Sequence, residues 1–420
     1  MKVAEHSFLD PSIQEDPFDY YDALVEQAPV FFMPQINAFV VSSYKDIQYV
    51  VVHPEIYSID FRARPDAQMI RHKAARDLLE AEGFIRDTKL TTDPPAHTAY
   101  RAAVSKAFTP GRVKAQAAFV QNSVDDLIDS LAGLDRCEFM GKFAWLLPIR
   151  VITKLMGVPY EDAEQIKHWS DVWVEPHTYG LSEERELVVA REEVALQKYL
   201  VRHIKAKLDS PGDDILTDLA NARMGDGSEM SLADKVGLAE HLIVGGHETA
   251  TSALGSGMMI LAKRPKIADE LRADPTRVDN FVEEVLRLES PSQGFFRVVV
   301  QDTELNGVSI PKGSMVHLRF AAANRDPARF ANPRELDLQR GNPRAHVAFS
   351  QGIHHCLGAP YARLELQTAF RTILQRMDQI ELDPAAPPPT HLPSLSLRTL
   401  KELHIKFRLR PAPRNDQQIS

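Results

Sequence analysis

The sequence predicts an α+β protein in which helices predominate, with one long central helix and small β-sheets. Helix-capping residues, proline and glycine divide the 420 residues into many helix-like stretches, whereas the runs of β-branched and aromatic residues are short. Apolar residues make up 44% and charged residues 25%, as in an ordinary globular protein with a sizeable core. No internal repeat is visible. We therefore expect one domain over residues 1–420, with a helix-rich core and a β-rich region built from N-terminal and C-terminal segments.

The elements follow from local signals along the chain. Pro17 suits the first turn of a helix, Pro110 ends the helix that begins near His97, and Asn306-Gly307 marks a tight turn between short strands. Residues 59–90, 175–180 and 324–344 lack a clear period and are predicted as loops or links. Further helices are predicted at residues 18–27, 44–53, 69–81, 113–131, 143–156, 160–174, 182–208, 278–289 and 359–376, and strands at residues 30–33, 38–42, 296–300, 303–305, 308–310, 315–318 and 403–409.

The longest predicted helix begins at Ser231 and runs to about Arg264. Ser231 and Asp234 have the spacing of a capping box, and Pro265 follows the last helical residue. At 1.5 Å per residue, such a helix is roughly 50 Å long and can cross the whole molecule.

Composition excludes several classes of protein. A net charge of −9 argues against nucleic-acid binding, which usually requires a basic surface. Only two cysteines occur, Cys137 and Cys356, so no disulfide framework is expected and a reducing cytoplasm suits the chain. The N-terminal segment, residues 1–11, is polar and has no apolar core of the length found in a signal peptide. No run of 18 apolar residues, as a membrane-spanning helix requires, occurs in the sequence. We expect a cytoplasmic monomer without a membrane anchor.

Cys356 lies in a stretch that favours a metal-binding thiolate. Residues 349–358 read Phe-Ser-Gln-Gly-Ile-His-His-Cys-Leu-Gly, and a predicted helix follows directly. The glycines allow backbone amides to approach the sulfur, and the helix start offers free N–H groups and a positive dipole end. These surroundings are expected to lower the pKa of the thiol. For a cysteine considered alone, an inert buried thiol is the commoner role.

The stretch resembles the cysteine loop of the cytochrome P450 family, Phe-x-x-Gly-x-His-x-Cys-x-Gly, and the resemblance extends over nearly the whole chain. It implies the triangular cytochrome P450 fold, haem b (iron protoporphyrin IX) as cofactor, and Cys356 as the axial ligand of the iron. A thiolate ligand favours O–O cleavage on the opposite side of the haem. Phe349 and Gly358 would complete the cofactor-binding loop, with Phe349 packed beside the thiolate.

The predicted long helix carries Gly245-Gly246-His247-Glu248-Thr249, which resembles the family's distal-helix motif. Two glycines in a helix interior cost about 1 kcal/mol each relative to alanine, so they need a reason. The resemblance implies that Gly245 and Gly246 make room for dioxygen, that Thr249 orients water and bound oxygen, and that Glu248 relays protons. Close helix packing is the alternative explanation of the glycines. His247 is expected to face solvent or a neighbouring helix.

A Glu-x-x-Arg pair precedes the cysteine by some seventy residues. Glu284 and Arg287 are one helical turn apart, a spacing that is commonly no more than a solvated ion pair. By resemblance, they join Arg340 in a buried structural network on the proximal side of the haem.

Four basic residues fall where the resembled family holds the two haem propionates. These are His97, Arg101, Arg297 and His354, whose side chains donate to carboxylates. His355 lies one position away from the pattern and is left unassigned.

The resemblance implies a haem-thiolate monooxygenase that inserts one oxygen atom of O2 into a mid-sized lipophilic substrate such as a terpenoid, steroid or aromatic compound. Electrons would come from a [2Fe-2S]-type ferredoxin with its NAD(P)H-dependent reductase, because the chain contains no flavin or iron–sulfur segment. The basic residues proposed for docking this ferredoxin are Arg101, Lys106, Arg112, Lys114 and Arg344.

By the same resemblance, the substrate pocket would include His241, Val244, residues 59–90, the link near His177, residues 292–296 and residues 394–397. Two alternatives remain beside the monooxygenase: a peroxide-dependent peroxygenase, against which Glu248-Thr249 argues, and a non-catalytic haem-binding sensor or recruitment protein. A zinc hydrolase is disfavoured because Thr251 replaces the second histidine of His-Glu-x-x-His.

Overall fold

Helices supply most of the regular structure, as predicted. The computed structural model describes residues 1–63, 70–86, 89–177 and 181–411. Its helices are α1 Pro11–Glu15, α2 Phe18–Gln27, α3 Tyr44–Val52, α4 Lys73–Glu82, α5 Ala96–Ser105, α6 Pro110–Ala115, α7 Ala117–Asp129, α8 Leu146–Met156, α9 Ala163–Val174, α10 Glu183–Asp209, α11 Ile215–Ala220, α12 Leu232–Lys263, α13 Pro265–Ala273, α14 Val278–Glu289, α15 Phe320–Ala323 and α16 Ala359–Arg376. Its strands are β1 Val30–Met33, β2 Ala38–Val41, β3 Tyr57–Ser58, β4 Arg136–Glu138, β5 Phe295–Val299, β6 Thr303–Leu305, β7 Val308–Ile310, β8 Met315–Leu318, β9 Met377–Leu382 and β10 His404–Leu409.

Helix α12 is the central helix that the sequence predicts. The Ser231 side chain caps it by accepting a hydrogen bond from the Asp234 backbone N–H at 3.1 Å. Most of its side chains are buried, so the helix is surrounded by protein rather than lying on the surface. The chain turns at Arg264, and Pro265 takes the first position of α13, which the sequence analysis missed. In the described part of the chain, no helix combines the length and apolar character required to span a membrane.

The principal sheet combines both ends of the chain in the order β1-β2-β8-β5-β3. The early hairpin β1–β2 is antiparallel, and β2 pairs in parallel with the late strand β8. A second sheet has the order β4-β10-β9. Strands β6 and β7 form a separate hairpin, in which Asn306 and Gly307 both have positive φ, as a two-residue turn of this kind requires.

The predicted elements differ from the structure in several places, since α1, α11, α15 and β3 were also not predicted. Residues 113–131, predicted as one helix, form α6 and α7 with a break at Gln116. Pro110 begins α6, because its missing N–H costs nothing in a first helical turn. Strands β4 and β9 were missed because their pairing partner, β10, lies far away in sequence. Residue 69 of the predicted helix 69–81 and residues 178–180 of the predicted link lie outside the described residues.

A buried charge network joins α14 to the long loop that follows α15, and it confirms the prediction for the Glu-x-x-Arg pair. Neither Glu284 nor Arg287 has an exposed side chain, and the Arg287 Nε donates to Glu284 Oε1 at 2.7 Å. The Arg340 Nε donates to the same oxygen at 2.8 Å. The other guanidinium N–H groups of Arg287 donate to three backbone carbonyls within residues 324–335. The network therefore fixes a loop that has no regular structure of its own.

Candidate active site

The cysteine loop holds Cys356 immediately before α16. The Cys356 backbone N–H donates to the Phe349 carbonyl at 2.9 Å, and the amides of Gly358 and Ala359 donate to the sulfur. Gly352 has a φ of +68°, and a Cβ there would lie 3.0 Å from the carbonyl oxygen of Val51, so this position requires glycine. A Cβ at Gly358 would lie 3.8 Å from the sulfur, an ordinary contact, so the approach of its amide does not depend on glycine.

The sequence predicts that the surroundings of Cys356 lower the pKa of its thiol. This prediction is wrong when only the protein groups act on the thiol. Burial raises the pKa of Cys356, and it outweighs the two amides and the positive charges of Arg101 and Arg363, which act in the opposite direction. Burial is a tertiary effect that the local motif does not encode. A coordinating metal ion would reverse the balance, since it deprotonates a thiol outright.

Cys356 nevertheless keeps accessible surface, although its sulfur is surrounded by protein closely enough for burial to dominate its pKa. Both observations hold if the accessible side of the residue faces a space inside the molecule rather than the outer surface.

Helix α12 has accessible residues along one face only. From position 235 to position 262 the helix is buried except at His241, Gly245, Gly246, Glu248 and Thr249. Positions 241, 245, 248 and 249 follow the spacing i, i+4, i+7, i+8 of a single helix face. An otherwise buried helix therefore has one accessible face, which we call its open face.

The two glycines of α12 have different structural reasons. A Cβ at Gly245 would have no atom within 4 Å, whereas a Cβ at Gly246 would lie 2.6 Å from Cδ1 and 2.9 Å from Cγ1 of Ile152 on α8. Close helix packing, the alternative raised above, explains Gly246. Room on the open face of the helix explains Gly245.

We predict opposite effects of alanine at these two positions. Gly246→Ala forces its methyl group against Ile152 and is expected to lower the free energy of unfolding by about 1 kcal/mol or more. Gly245→Ala, the matched control, gains helix propensity without a clash and is expected to raise it by up to about 1 kcal/mol. Urea denaturation of both variants measures the difference, and equal stabilisation in both would show that Ile152 does not restrict α12.

Glu248 connects the open face of α12 to α9. Its Oε1 lies 2.9 Å from Nε2 of His247, which is fully buried, so the expected solvent-facing position of His247 is wrong and the interhelical one is right. The two atoms are close without hydrogen-bond geometry, so their contact is electrostatic. The carboxyl groups of Glu248 and Asp171 hydrogen-bond, and Asp171 pairs with Lys167 at 2.6 Å.

These neighbours shift the pKa values of the Glu248 and Asp171 carboxyl groups in opposite directions. Burial raises the pKa of Glu248, but the charges of His247 and Lys167 and the bond with Asp171 outweigh it and lower the pKa to about 2. Burial raises the pKa of Asp171, Lys167 lowers it and Glu248 raises it, with a net increase. Of the two carboxyl groups, Asp171, which is half exposed, is therefore the one that takes up a proton more readily.

The four predicted propionate ligands converge. The ring centroids of His97 and His354 lie 4.2 Å apart, and Nε2 of each ring is buried without a hydrogen-bond partner among the described residues. Arg297 is buried, and its Nη1 donates to the adjacent carbonyl of Phe296 at 2.9 Å. Arg101 donates to the His355 carbonyl beside Cys356 at 2.6 Å. His355 itself is exposed.

The positive charge of this cluster is only partly balanced by neighbouring protein groups. Burial, followed by the charges of Arg297, His97 and Arg101, lowers the pKa of His354 to about 3. Burial lowers the pKa of Arg297 to about 10, although Asp93 opposes the shift. Two guanidinium groups beside two unpartnered ring nitrogens form a site for an anion with several oxygen atoms.

Glu283 is a residue of the site that sequence reasoning missed. It accepts hydrogen bonds from Arg363 of α16 at 2.6 Å and from His346 at 2.8 Å. Burial raises the pKa of Glu283, but these two partners outweigh it and lower the pKa to about 2. The guanidinium carbon of Arg363 lies 4.7 Å from the ring centre of Phe349. The only sequence feature that could have indicated Glu283 is its position directly before Glu284 on the same predicted helix.

Two residues of the expected pocket belong to the core instead. Gln293 is buried and its side chain is fully engaged, since Oε1 accepts from Tyr21 and Arg319 while Nε2 donates to two backbone carbonyls. Leu395 is buried in the cluster formed by the N-terminal segment. The bridge between Ser292 and Leu397 does bring the two predicted segments together.

Known proteins share both the sequence and the fold of this chain. A family model described as Cytochrome P450 matches residues 183–407. Cytochrome P450 monooxygenase PikC of Streptomyces venezuelae is 35% identical over 412 residues, which cover 97% of this chain and 94% of that protein.

Two solved structures show how far the likeness extends in three dimensions. Cytochrome P450 CREJ, in complex with (4-ethylphenyl) dihydrogen phosphate, has a TM-score of 0.88 and 28% identity, covering 97% of this chain and 100% of that one. CYP109E1 from Bacillus megaterium, in complex with corticosterone, has a TM-score of 0.79 and 28% identity, covering 94% of this chain and 99% of that one. On sequence, fold and coverage together, the chain belongs to the cytochrome P450 family and is a monooxygenase of the bacterial type.

Proposed function

We propose that this protein hydroxylates a mid-sized lipophilic compound with electrons from a [2Fe-2S] ferredoxin and its NAD(P)H-dependent reductase. The family binds haem b through a cysteine thiolate. Two observations carry the proposal: Cys356 keeps accessible surface, and α12, an otherwise buried helix, has one accessible face that bears Gly245, Glu248 and Thr249.

The residues present fit haem b. The cluster of His97, Arg101, Arg297 and His354, of which His97 and Arg297 are buried, offers two guanidinium groups and two unpartnered ring nitrogens to the two carboxylates of the porphyrin. Cys356 supplies the sulfur ligand, with the Gly358 amide donating to it. When bound, the iron porphyrin supplies the activation of dioxygen.

On the proximal side, the protein holds the sulfur in place. The Cys356 backbone N–H is fixed by the Phe349 carbonyl, and Phe349 is covered by the Arg363 guanidinium that Glu283 orients. The apolar ring and the amide donors together set the electron density on the sulfur.

On the distal side, we assign proton delivery to Glu248 and Thr249. Thr249 lies one helical turn after Gly245, on the open face of α12. Glu248 connects this face with Asp171, whose pKa is raised, and with Lys167 near the surface. A proton that leaves Asp171 can pass to Glu248 and on to the Thr249 hydroxyl, and solvent replaces it at the half-exposed Asp171 carboxyl.

Replacing Glu248 tests this assignment. Glu248→Gln keeps the size of the side chain but cannot carry a proton, so we expect product formation to fall by roughly 10²-fold. A larger share of the consumed NAD(P)H should then appear as hydrogen peroxide. Glu248→Asp, the conservative control, should retain more activity. Unchanged product per NAD(P)H in Glu248→Gln would remove Glu248 from the proton pathway.

The substrate class follows from the chemistry of the open face and from the relatives. The solved relative CYP109E1 is in complex with corticosterone, a polycyclic lipophile with several oxygen atoms. We propose the same general class here, a terpenoid, steroid or aromatic compound.

The basic residues proposed for ferredoxin docking differ in their availability. Arg112 is paired with Asp213 at 2.7 Å and with Asp218, and Arg101 is turned inward to the His355 carbonyl. Lys106 and Lys114 are exposed, as is Arg344, which lies 3.5 Å from Glu283. We therefore propose Lys106, Lys114 and Arg344 as the charges that steer an acidic ferredoxin to this surface.

Isotope labelling tests the proposed reaction. Turnover with NAD(P)H, ferredoxin, reductase and ¹⁸O2 is expected to place one labelled oxygen atom in each product molecule. Product formed only with added peroxide would favour the peroxygenase, and haem binding without turnover under either condition would favour the sensor.

A further inference from the structure

His241 lies on the open face of α12, one full turn before Gly245. Its side chain is ionisable. This histidine precedes Gly245 by four residues and Glu248 by seven, and this spacing places all three on the same face of the helix. Its neighbours Leu242, Ile243 and Val244 are buried, whereas His241 keeps accessible surface. The open face therefore begins with an imidazole rather than with an apolar side chain.

The imidazole of His241 is surrounded by protein and lacks a polar partner. Its Nδ1 is buried, and no described residue forms a hydrogen bond with it. Burial is the cause that lowers the pKa of His241 to about 4, so the ring is neutral at physiological pH. A neutral imidazole has one N–H donor and one acceptor nitrogen, and a buried site favours partners that are themselves uncharged.

We propose that His241 is a specificity-determining residue that hydrogen-bonds an uncharged hydroxyl or carbonyl oxygen of the substrate. This inference rests on the proposed function and narrows its substrate class to oxygenated lipophiles. Because the histidine lies one turn from Gly245, the recognised oxygen lies at a distance from the carbon that reacts. The bond orients the substrate and selects it against the corresponding hydrocarbon.

The test compares matched probes that differ by one oxygen function. 5α-Androstan-17-one and 5α-androstane, decalone and decalin, and deoxybenzoin and bibenzyl represent steroids, bicyclic terpenoid-like rings and aromatic compounds. Dissociation constants are measured with the haem-loaded wild type, His241→Leu and His241→Gln. The ratio within each pair cancels the general effect of hydrophobicity, and Leu retains apolar volume while Gln retains hydrogen bonding.

A matched control is available on α10. His203 is also partly exposed, with a buried, unpartnered Nε2 and a pKa that burial lowers, but it packs against Tyr199 with ring centres 4.4 Å apart and is not part of α12. His203→Leu should therefore leave every probe ratio unchanged.

We expect the wild type to prefer the oxygenated member of at least one pair, and His241→Leu to reduce this preference by about tenfold, with partial recovery in His241→Gln. Equal ratios in the wild type and His241→Leu for every pair, or failure of all oxygenated probes to bind, would overturn the inference. The carbon monoxide spectrum of each protein is recorded first, because loss of the thiolate band in the wild type would refute the proposed function itself.

Discussion

Replacing Cys356 with alanine is expected to abolish the strongly red-shifted Soret band of the reduced, carbon-monoxide-bound protein. The band reports a thiolate bound to haem iron, and Cys356 is the cysteine whose sulfur accepts hydrogen bonds from two backbone amides and which keeps accessible surface. Monooxygenase activity should fall below detection, because no neighbouring protein group can replace the electron donation of a thiolate. Absorption spectroscopy of the purified, dithionite-reduced protein measures the band directly.

The second cysteine of the chain provides the matched control. Cys137 lies in β4, opposite Ile405 of β10, and burial raises the pKa of its thiol to about 12. Cys137→Ala should therefore retain the full red-shifted band. If Cys137→Ala removed the band and Cys356→Ala retained it, the ligand assignment would be wrong.

Replacing Arg287 with alanine is expected to destabilise the protein by about 3–5 kcal/mol, because it leaves the Glu284 carboxylate buried without one of its two cationic partners. The same change removes the hydrogen bonds that hold the carbonyls of residues 324–335. Such a loss is a large part of the stability of a folded protein, so we expect poor expression or a strongly lowered urea midpoint. Arg287→Lys should recover little, since an ammonium group cannot make the same set of bonds.

A surface arginine distinguishes burial from charge in this experiment. Arg334 pairs with Asp19 and Asp22, but 63% of its side chain is exposed. Arg334→Ala should cost no more than about 1 kcal/mol. Similar losses in Arg287→Ala and Arg334→Ala would show that the network contributes no more than an ordinary surface pair.

The sequence predicts those elements whose ends are determined by their own residues. Ser231 caps α12 within one turn, and Asn306-Gly307 closes the β6–β7 hairpin with two positive φ angles. The family motifs also locate the four basic residues, because the motifs record which positions meet in the folded chain even when spacing alone does not. The convergence of His97 and His354, 257 positions apart in number, could not be read from periodicity.

The features that could not be predicted depend on burial by distant segments. The raised pKa of Cys356, the contact of Gly246 with Ile152 and the full engagement of Gln293 by Tyr21 and Arg319 all arise from tertiary packing. The local sequence around each of these residues is compatible with more than one structural role, so it does not predict the role that is observed. Burial therefore decides which of two chemically reasonable roles a residue takes.

The parallel pairing of β2 with β8 has a consequence for how the protein is made. The hairpin β1–β2 is synthesised early, yet the strand that covers its edge comprises residues 315–318. During synthesis this edge stays unpaired until three quarters of the chain has left the ribosome, and such edges invite association with other chains. A similar interval, 259 positions, separates His97 from Cys356. A chain that ends before β8 lacks both the partner of this edge and the cysteine loop, so it forms an aggregation-prone fragment rather than a weaker enzyme.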